Sequence, residues 1–469
     1  MKYVIRKWTL ILAVFLALFG SVLCIEAHAF SGGNGTPDDP YIITSAAELN
    51  AVRHNLTAHF RLGNDVDLTC YLAPGGAGYA KWGAAGWQPI GTWSFSRRCE
   101  YVFSGEFDGN GYKITGLWID RSGWNFVGLF GATENAVIKN LGVEIAIAGN
   151  INGHNHVGGL IGWQSSGSIV NTYVMGNVSG NSEWHAGGRY VGGLVGKQYS
   201  ASVINSHATG NVSGSSDVGG LVGYQHSSSI RSSYATGSVS GASNSNVGGL
   251  VGYQRSGSIE SSYATGNVTG RIGGGLVGIQ GTLGSITNSY ATGNVSGDIA
   301  GGLVGSQYGS ITNSYATGNI GDFYHSRYIG GLAGSQGRGS IKNSYATGNL
   351  VGREPGGLVG GWSRDISITN SYRYINLTIN GMNPTEYTLT SFFGTIITVP
   401  TENMPDGIHG GILTAAQFMT KATYTDNDWL FYPDGPWHWD ERGFPKLNIG
   451  AEDFPFNFTQ TAAHELSVN

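Results

Sequence analysis

Two runs of residues combine groups that bind or move protons with rings that stack. The first is His154 and His156 followed by Glu183, Trp184, His185, Arg189 and Tyr190; the second is Asp322, Tyr324, His325, Arg327 and Tyr328. Aromatic faces stack on sugar rings, and Arg pairs bidentately with uronate carboxylates or sulfates. A β-eliminating lyase needs a group that neutralises the substrate carboxylate, a base and an acid. Arg189, His185 and Tyr190 are of those types, with Glu183 beside them. Substrate contacts would come from Trp184, His154 and His156, from Trp82 and Trp87 in an insertion at residues 71–98 that also holds Trp93, Arg97 and Arg98, and from Tyr324, His325, Arg327 and Tyr328. In the other reading, the same residues pack a loop edge or hold a ligand without acting on it.

What positions these residues is a repeat. Val218 to Gly241 reads VGGLVGYQHSSSIRSSYATGSVSG, and Val247 to Gly270 reads VGGLVGYQRSGSIESSYATGNVTG. Nine leucines mark the copies, Leu129, Leu160, Leu194, Leu221, Leu250, Leu276, Leu303, Leu332 and Leu358, at separations of 31, 34, 27, 29, 26, 27, 29 and 26 residues. Each unit holds three short strand-like pieces bounded by Gly, Ser or Asn, and none can bury its own apolar face. Such units are stable only when stacked. The expected fold is all-β, a right-handed parallel β-helix of about 27-residue, three-strand coils rising about 4.8 Å each. Leu250, Val251, Ile259 and Val268 would be interior. A Gln column (Gln164, Gln198, Gln225, Gln254, Gln280, Gln307, Gln336), an Asn/Ser column from Asn171 to Asn370 and a Tyr column from Tyr173 to Tyr372 read as architectural, with stacked amides bonding along the axis. The five interruptions, residues 150–156, 181–190, 242–246, 321–328 and 351–355, all fall at one corner of the coil. That places the two chemical clusters on one edge, about five coils or roughly 24 Å apart.

These units resemble the GLUG-motif family, whose glycine–leucine–hydrophobic–glycine signature is here Gly249-Leu250-Val251-Gly252 and its relatives. The segments 103–117 and 413–424 are similar to stretches that border such repeats. The resemblance implies an extracellular bacterial β-solenoid, found in surface adhesins and as accessory parts of large secreted proteases, with no catalytic residues common to the family. This chain shows no protease segment, zinc motif or wall anchor, and that favours a freely secreted protein.

Residues 1–29 read as a secretory signal, with Lys2, Arg6 and Lys7 before an apolar run and Ala27-His28-Ala29 at the cleavage site. Residues 30–125 would be an N-terminal cap with irregular first coils, 126–375 the repeats and 376–469 a C-terminal cap. Ser45 and Glu48 form a capping box for a short helix at 46–54, and 414–419 also reads as helical. Trp429, Trp437 and Trp439 near Asp434, Asp440 and Glu441 fit capping better than catalysis. Cys70 and Cys99, the two cysteines left after cleavage, are expected to form a disulfide. No cofactor is implied; calcium at Asp65, Asp67, Asp108 and Asp120 rests on analogy alone. With 12% charged residues and a net charge of −5, more negative once the leader is removed, neither nucleic acid nor an anionic membrane is an expected partner. The sequence reading is of a secreted monomer that binds and cleaves an extracellular polysaccharide, as a lyase or glycosidase, in an edge groove. Its alternative is a non-catalytic glycan-binding or adhesion protein. Ice binding on the Thr column from Thr209 to Thr347 ranks third, for want of a paired Thr column.

Overall fold

A computed structural model of the chain describes residues 30–93, 101–180, 188–322, 326–361, 367–374, 380, 386–390, 396–400, 410–439 and 445–447. It is a parallel β-solenoid. Among the described residues, sheets of 18, 16 and 12 strands run its length, each built by parallel pairing between successive coils. In one coil, Val222–His226 and Ser228–Arg231 contribute to the first sheet and Tyr234–Ala235 to the third. Val239–Gly241 and the following Asn246–Gly248 belong to the second. Register follows the repeat, with Val222 opposite Val251 and Tyr234 opposite Tyr263.

All nine marker leucines are fully buried in one continuous core with Val251, Ile259 and Val268. The glycine before each leucine is dictated by close packing: a Cβ on Gly249 would stand 2.1 Å from the carbonyl oxygen of Gly275 in the next coil.

The polar columns close the corners. Asn171, Asn205, Ser232, Ser261, Asn288, Asn313, Asn343 and Asn370 all turn the chain at φ of 47–51°, the left-handed region that Asn tolerates best among residues with a side chain. Their amides also bond along the axis, as in Asn205 Nδ2 to Asn171 Oδ1 at 2.7 Å. The glutamines differ from expectation. They are buried, and from Gln225 to Gln336 the amides bond to backbone carbonyls rather than to the next glutamine: Gln225 Nε2 donates to Ser228 O at 3.1 Å and Ser258 O at 3.2 Å, and Gln254, Gln280, Gln307 and Gln336 donate likewise. They thereby satisfy carbonyls at the break between the two first-sheet strands of a coil. A serine ladder from Ser206 to Ser371, not anticipated from sequence, does the same at the next corner. Ser262 Oγ accepts from Ser233 N at 3.2 Å and donates to Glu260 O at 2.8 Å.

At the N-terminal end, helix Ala46–Ala51 and the 3-10 turn Val52–His54 follow the expected capping box, with Glu48 N donating to Ser45 Oγ and Thr44 N to Glu48 Oε2. The expected disulfide is corrected. Cys70, on helix Thr69–Leu72, carries a free, solvent-exposed thiol, and Cys99 lies outside the described residues. The insertion is anchored by other means. Trp87 is fully buried and donates Nε1 to Leu129 O, while Arg53 Nη2 and Arg121 Nε hold the carbonyls of Gln88 and Trp87.

The four acids considered for calcium serve local structure. Asp65 accepts from Lys113 N, Asp67 from Thr69 N, Asp108 from Asn110 N and Asn140 Nδ2, and Asp120 from Asn152 Nδ2.

Candidate functional site

The outward positions of the first-sheet strands decide what the surface can do. Side chains alternate along a strand, so the residue between Gly and the buried Gln points away from the core. In successive coils that residue is Trp163, Lys197, Tyr224 and Tyr253, aligned by register. Beyond the glutamine, the register sets Ser165 opposite Tyr199 and Tyr199 opposite His226; Arg255 holds the corresponding place after Gln254. The neighbouring corner adds Phe126, His156 and Tyr190, each at φ near 60°. The rings form a continuous belt. Phe126 stacks on His156 at 4.8 Å, His156 meets Tyr190 at 5.0 Å, Tyr190 meets Tyr224 edge-on at 5.1 Å, and Tyr224 meets Tyr253 at 5.4 Å. Trp93, from the insertion, packs edge-on against Trp163 at 4.2 Å.

Cations sit among these rings. Lys197 Nζ lies 5.9, 5.4 and 5.5 Å from the ring centres of Trp163, Tyr190 and Tyr224, and Arg189 lies 5.6 Å from that of Tyr190. Among the described residues no carboxylate forms an ion pair with Lys197, Arg189 or Arg255. Burial lowers the Lys197 pKa. Asp217, a carboxyl at this corner, is buried, accepts from Asn246 Nδ2 at 2.7 Å and has its pKa raised by desolvation. Among the described residues the face thus offers partly covered aromatic rings and cations outside any ion pair, a combination suited to sugar rings that bear anionic groups.

Of the residues singled out from sequence, the structure brings His156, Arg189 and Tyr190 together. His154 stands alongside, its Nδ1 against Asn125 Oδ1 and Asn155 Nδ2. Glu183, Trp184, His185, Tyr324 and His325 lie outside the described residues, as do Arg97 and Arg98. Trp87 is core and not a platform; Trp82 is partly buried, edge-on to Trp87 at 5.3 Å. Arg327 and Tyr328 meet at the same corner five coils on, the guanidinium 4.7 Å from the ring centre.

The lyase and polysaccharide-degradation reading is corrected here. Tyr190 has its hydroxyl pKa raised chiefly by burial, and its ring is held between His156 and Tyr224. Burial, reinforced by Lys197 and Arg189, pushes His156 down to about 3, so it stays neutral and is packed as a ring. Arg189 lies over Tyr190 instead of standing free to meet an acid–base pair. Among the described residues no group of three or more His, Cys, Asp or Glu could hold a metal, and no helix is long and apolar enough to cross a membrane.

Sequence reasoning missed Trp163, Lys197, Tyr199, Tyr224, His226, Tyr253 and Arg255. The signal was the pair of variable positions on either side of the repeated glutamine in each strand, read with a period of two.

Comparison with known proteins agrees with the architecture. The GLUG motif matches residues 187–213, 214–240, 243–269, 271–296, 299–321 and 325–351. A protein of Evansella cellulosilytica described as a Gly-rich membrane protein is 39% identical over 158 residues, 31% of this chain and 17% of that one. The halomucin of Haloquadratum walsbyi is 36% identical over 155 residues, 32% of this chain and 2% of that one. The chain therefore spans less than a fifth of either relative. Among solved structures, one assigned as an immunoglobulin A1 protease from Bacteroides ovatus aligns over 90% of this chain and 96% of its own, at 19% identity and a TM-score of 0.33. A second IgA1 protease aligns over 82% and 24%, at 16% identity and a TM-score of 0.39. Likenesses at this level bear on neither activity nor partner. The chain carries GLUG repeats folded as the β-solenoid typical of that extracellular bacterial family.

Proposed function

We propose that this GLUG-repeat chain is a non-catalytic, extracellular glycan-binding solenoid, of use in adhesion or in retaining a matrix polymer. One observation carries the reading: the belt of Trp163, Tyr190, Tyr224 and Tyr253 interleaved with Lys197 and flanked by Arg189 and Arg255. The coil does not require a ring or a cation at this outward strand position, since Ile279, Ser306 and Ser335 hold the same place in later coils. Rings supply apolar area for sugar faces, and the cations select sugars that carry acid groups. Tyr199, 43% exposed beside Lys197, extends the surface available to a ligand.

The test is retention of the purified chain on a panel of immobilised glycans, with Trp163→Ala/Tyr199→Ala as the comparison. Retention of the parent, a loss of at least about tenfold in the variant and no change in glycan chain length with either protein are expected. Equal retention of parent and variant would remove the face from consideration. Shortening of the glycan would return the protein to the enzymes.

A further inference from the structure

The corner that presents Arg189 continues along the solenoid as a column. In register, the residues just before successive second-sheet strands are Arg189, Ser216, Ser245, Arg271, Asp298, Arg327 and Arg353. Backbone bonds tie them in line: Asn246 N to Ser216 O, Ile272 N to Ser245 O, Ile299 N to Arg271 O, Tyr328 N to Asp298 O and Glu354 N to Arg327 O. At about 4.8 Å per coil, Arg189 stands roughly 14 Å from Arg271, and Arg271 roughly 14 Å from Arg353. Beside the far half runs a groove of about 590 Å³, with Arg271, Arg327 and Arg353 on its walls together with Asp298 and Asp322, and Gly241, Gly270 and Gly297 along it.

The charges in this groove are exchangeable. Arg271 is 4.0 Å from Asp298 and Arg327 is 3.4 Å from Glu354, with the arginines about half exposed (51% and 50%). Such surface pairs contribute little, so an incoming acid group can replace either carboxylate. Arg353 has no ion pair among the described residues. Between the two basic stations the register residues are the uncharged Ser216 and Ser245, and the short insertion 242–246 stands at this corner with Ala242 and Ser243 on the groove wall.

We infer that the arginine column and the aromatic face are two stations of one track, which holds a polysaccharide bearing repeated carboxylate or sulfate groups and running along the solenoid axis. This rests on the glycan-binding reading above and adds the ligand's charge, direction and minimum length. Two weak stations joined by one polymer bind through effective concentration, so affinity depends on whether the ligand reaches both. A mixed column with Asp298 inside it, on a chain of net charge −5, suits spaced acid groups on a sugar chain better than the dense phosphates of nucleic acid.

The experiment is titration calorimetry of the full chain and of Arg271→Gln/Arg327→Gln/Arg353→Gln. The probes are short and long oligogalacturonates, the long one exceeding about 30 Å in reach, with dextran sulfate, neutral dextran and single-stranded DNA. The long acidic oligomer should bind the parent at least tenfold more tightly than the short one, with affinity falling as salt rises. The triple variant should lose that gain while binding the short oligomer as the parent does. Dextran sulfate against oligogalacturonate tells whether sulfate or carboxylate is preferred. Long and short oligomers binding alike, neutral dextran binding as tightly as acidic glycans, or DNA outcompeting them would each overturn the inference. Glycan binding that persists unchanged in the triple variant overturns only this inference; no binding of any glycan by the parent overturns the proposed function with it.

Discussion

His156 sits where a proton is costly. Phe126 lies on one side of its ring and Tyr190 on the other, and Lys197 and Arg189 add their charge to the effect of burial. An unfolded chain takes up this proton near pH 6.5, whereas the folded one resists it until about pH 3. Over that window the unfolded state binds more protons, so stability contributed by neutral His156 is complete above pH 6.5 and is lost as pH falls toward 3. Unfolding free energies from urea titrations at pH 7, 5.5 and 4 should decline by a few kcal/mol in the parent. His156→Phe, which repeats the residue of the preceding coil, should flatten the decline; parallel curves for the two proteins would refute the assignment. The same packing explains why a histidine read from sequence as a sugar contact serves as a ring in the belt. Types and spacing located the corner, but burial decided the role.

At the level of strands and turns, the repeat made most of the architecture legible. Nine leucines at near-constant spacing fix which face is buried, and one-to-one register between coils follows. The Asn corner was legible for the same reason. The serine ladder was not, because the serine preceding each Tyr-Ala strand looks like an ordinary turn residue until its hydroxyl is seen bridging two coils. Ser262→Ala removes one donor and one acceptor in a buried corner and should cost about 1–3 kcal/mol in chemical denaturation, whereas exposed Thr269→Ala on a nearby strand should shift stability by no more than about 0.5 kcal/mol. The aromatic face escaped notice because it occupies the two positions that do not repeat; a search for regularity passes over them. Trp87 misled in the opposite way. An insertion without its disulfide needs an apolar anchor, and the largest ring filled that place.

For the whole molecule, the feature furthest from the sequence reading is the placement of the C-terminal segment. Gly411–Leu413 adds a strand beyond Tyr372–Tyr374, as a cap would. The residues after it turn back along the outer face of the third sheet. There Trp429, Trp437, Phe418 and Tyr424 cover Tyr290, Tyr315, Tyr345 and Tyr372, and the Tyr345 hydroxyl donates to Pro445 O at 3.0 Å. Trp437→Ala opens this contact and should cost about 3–5 kcal/mol, read as a lower thermal midpoint with no change in glycan retention, since the face proposed to hold glycan lies on another sheet. From His207, outside that cover, to Tyr345 beneath it runs a row of rings centred 4.4–5.0 Å apart and parallel within 6°. Phenol chromophores held so close and so alike in orientation share their excitation, and the solenoid therefore contains a one-dimensional optical array. Its near-ultraviolet circular dichroism should report the number of intact stacked coils more than the 24 tyrosines present. Tyr290→Leu, which splits the array at its middle, should dim that band by far more than one tyrosine's share.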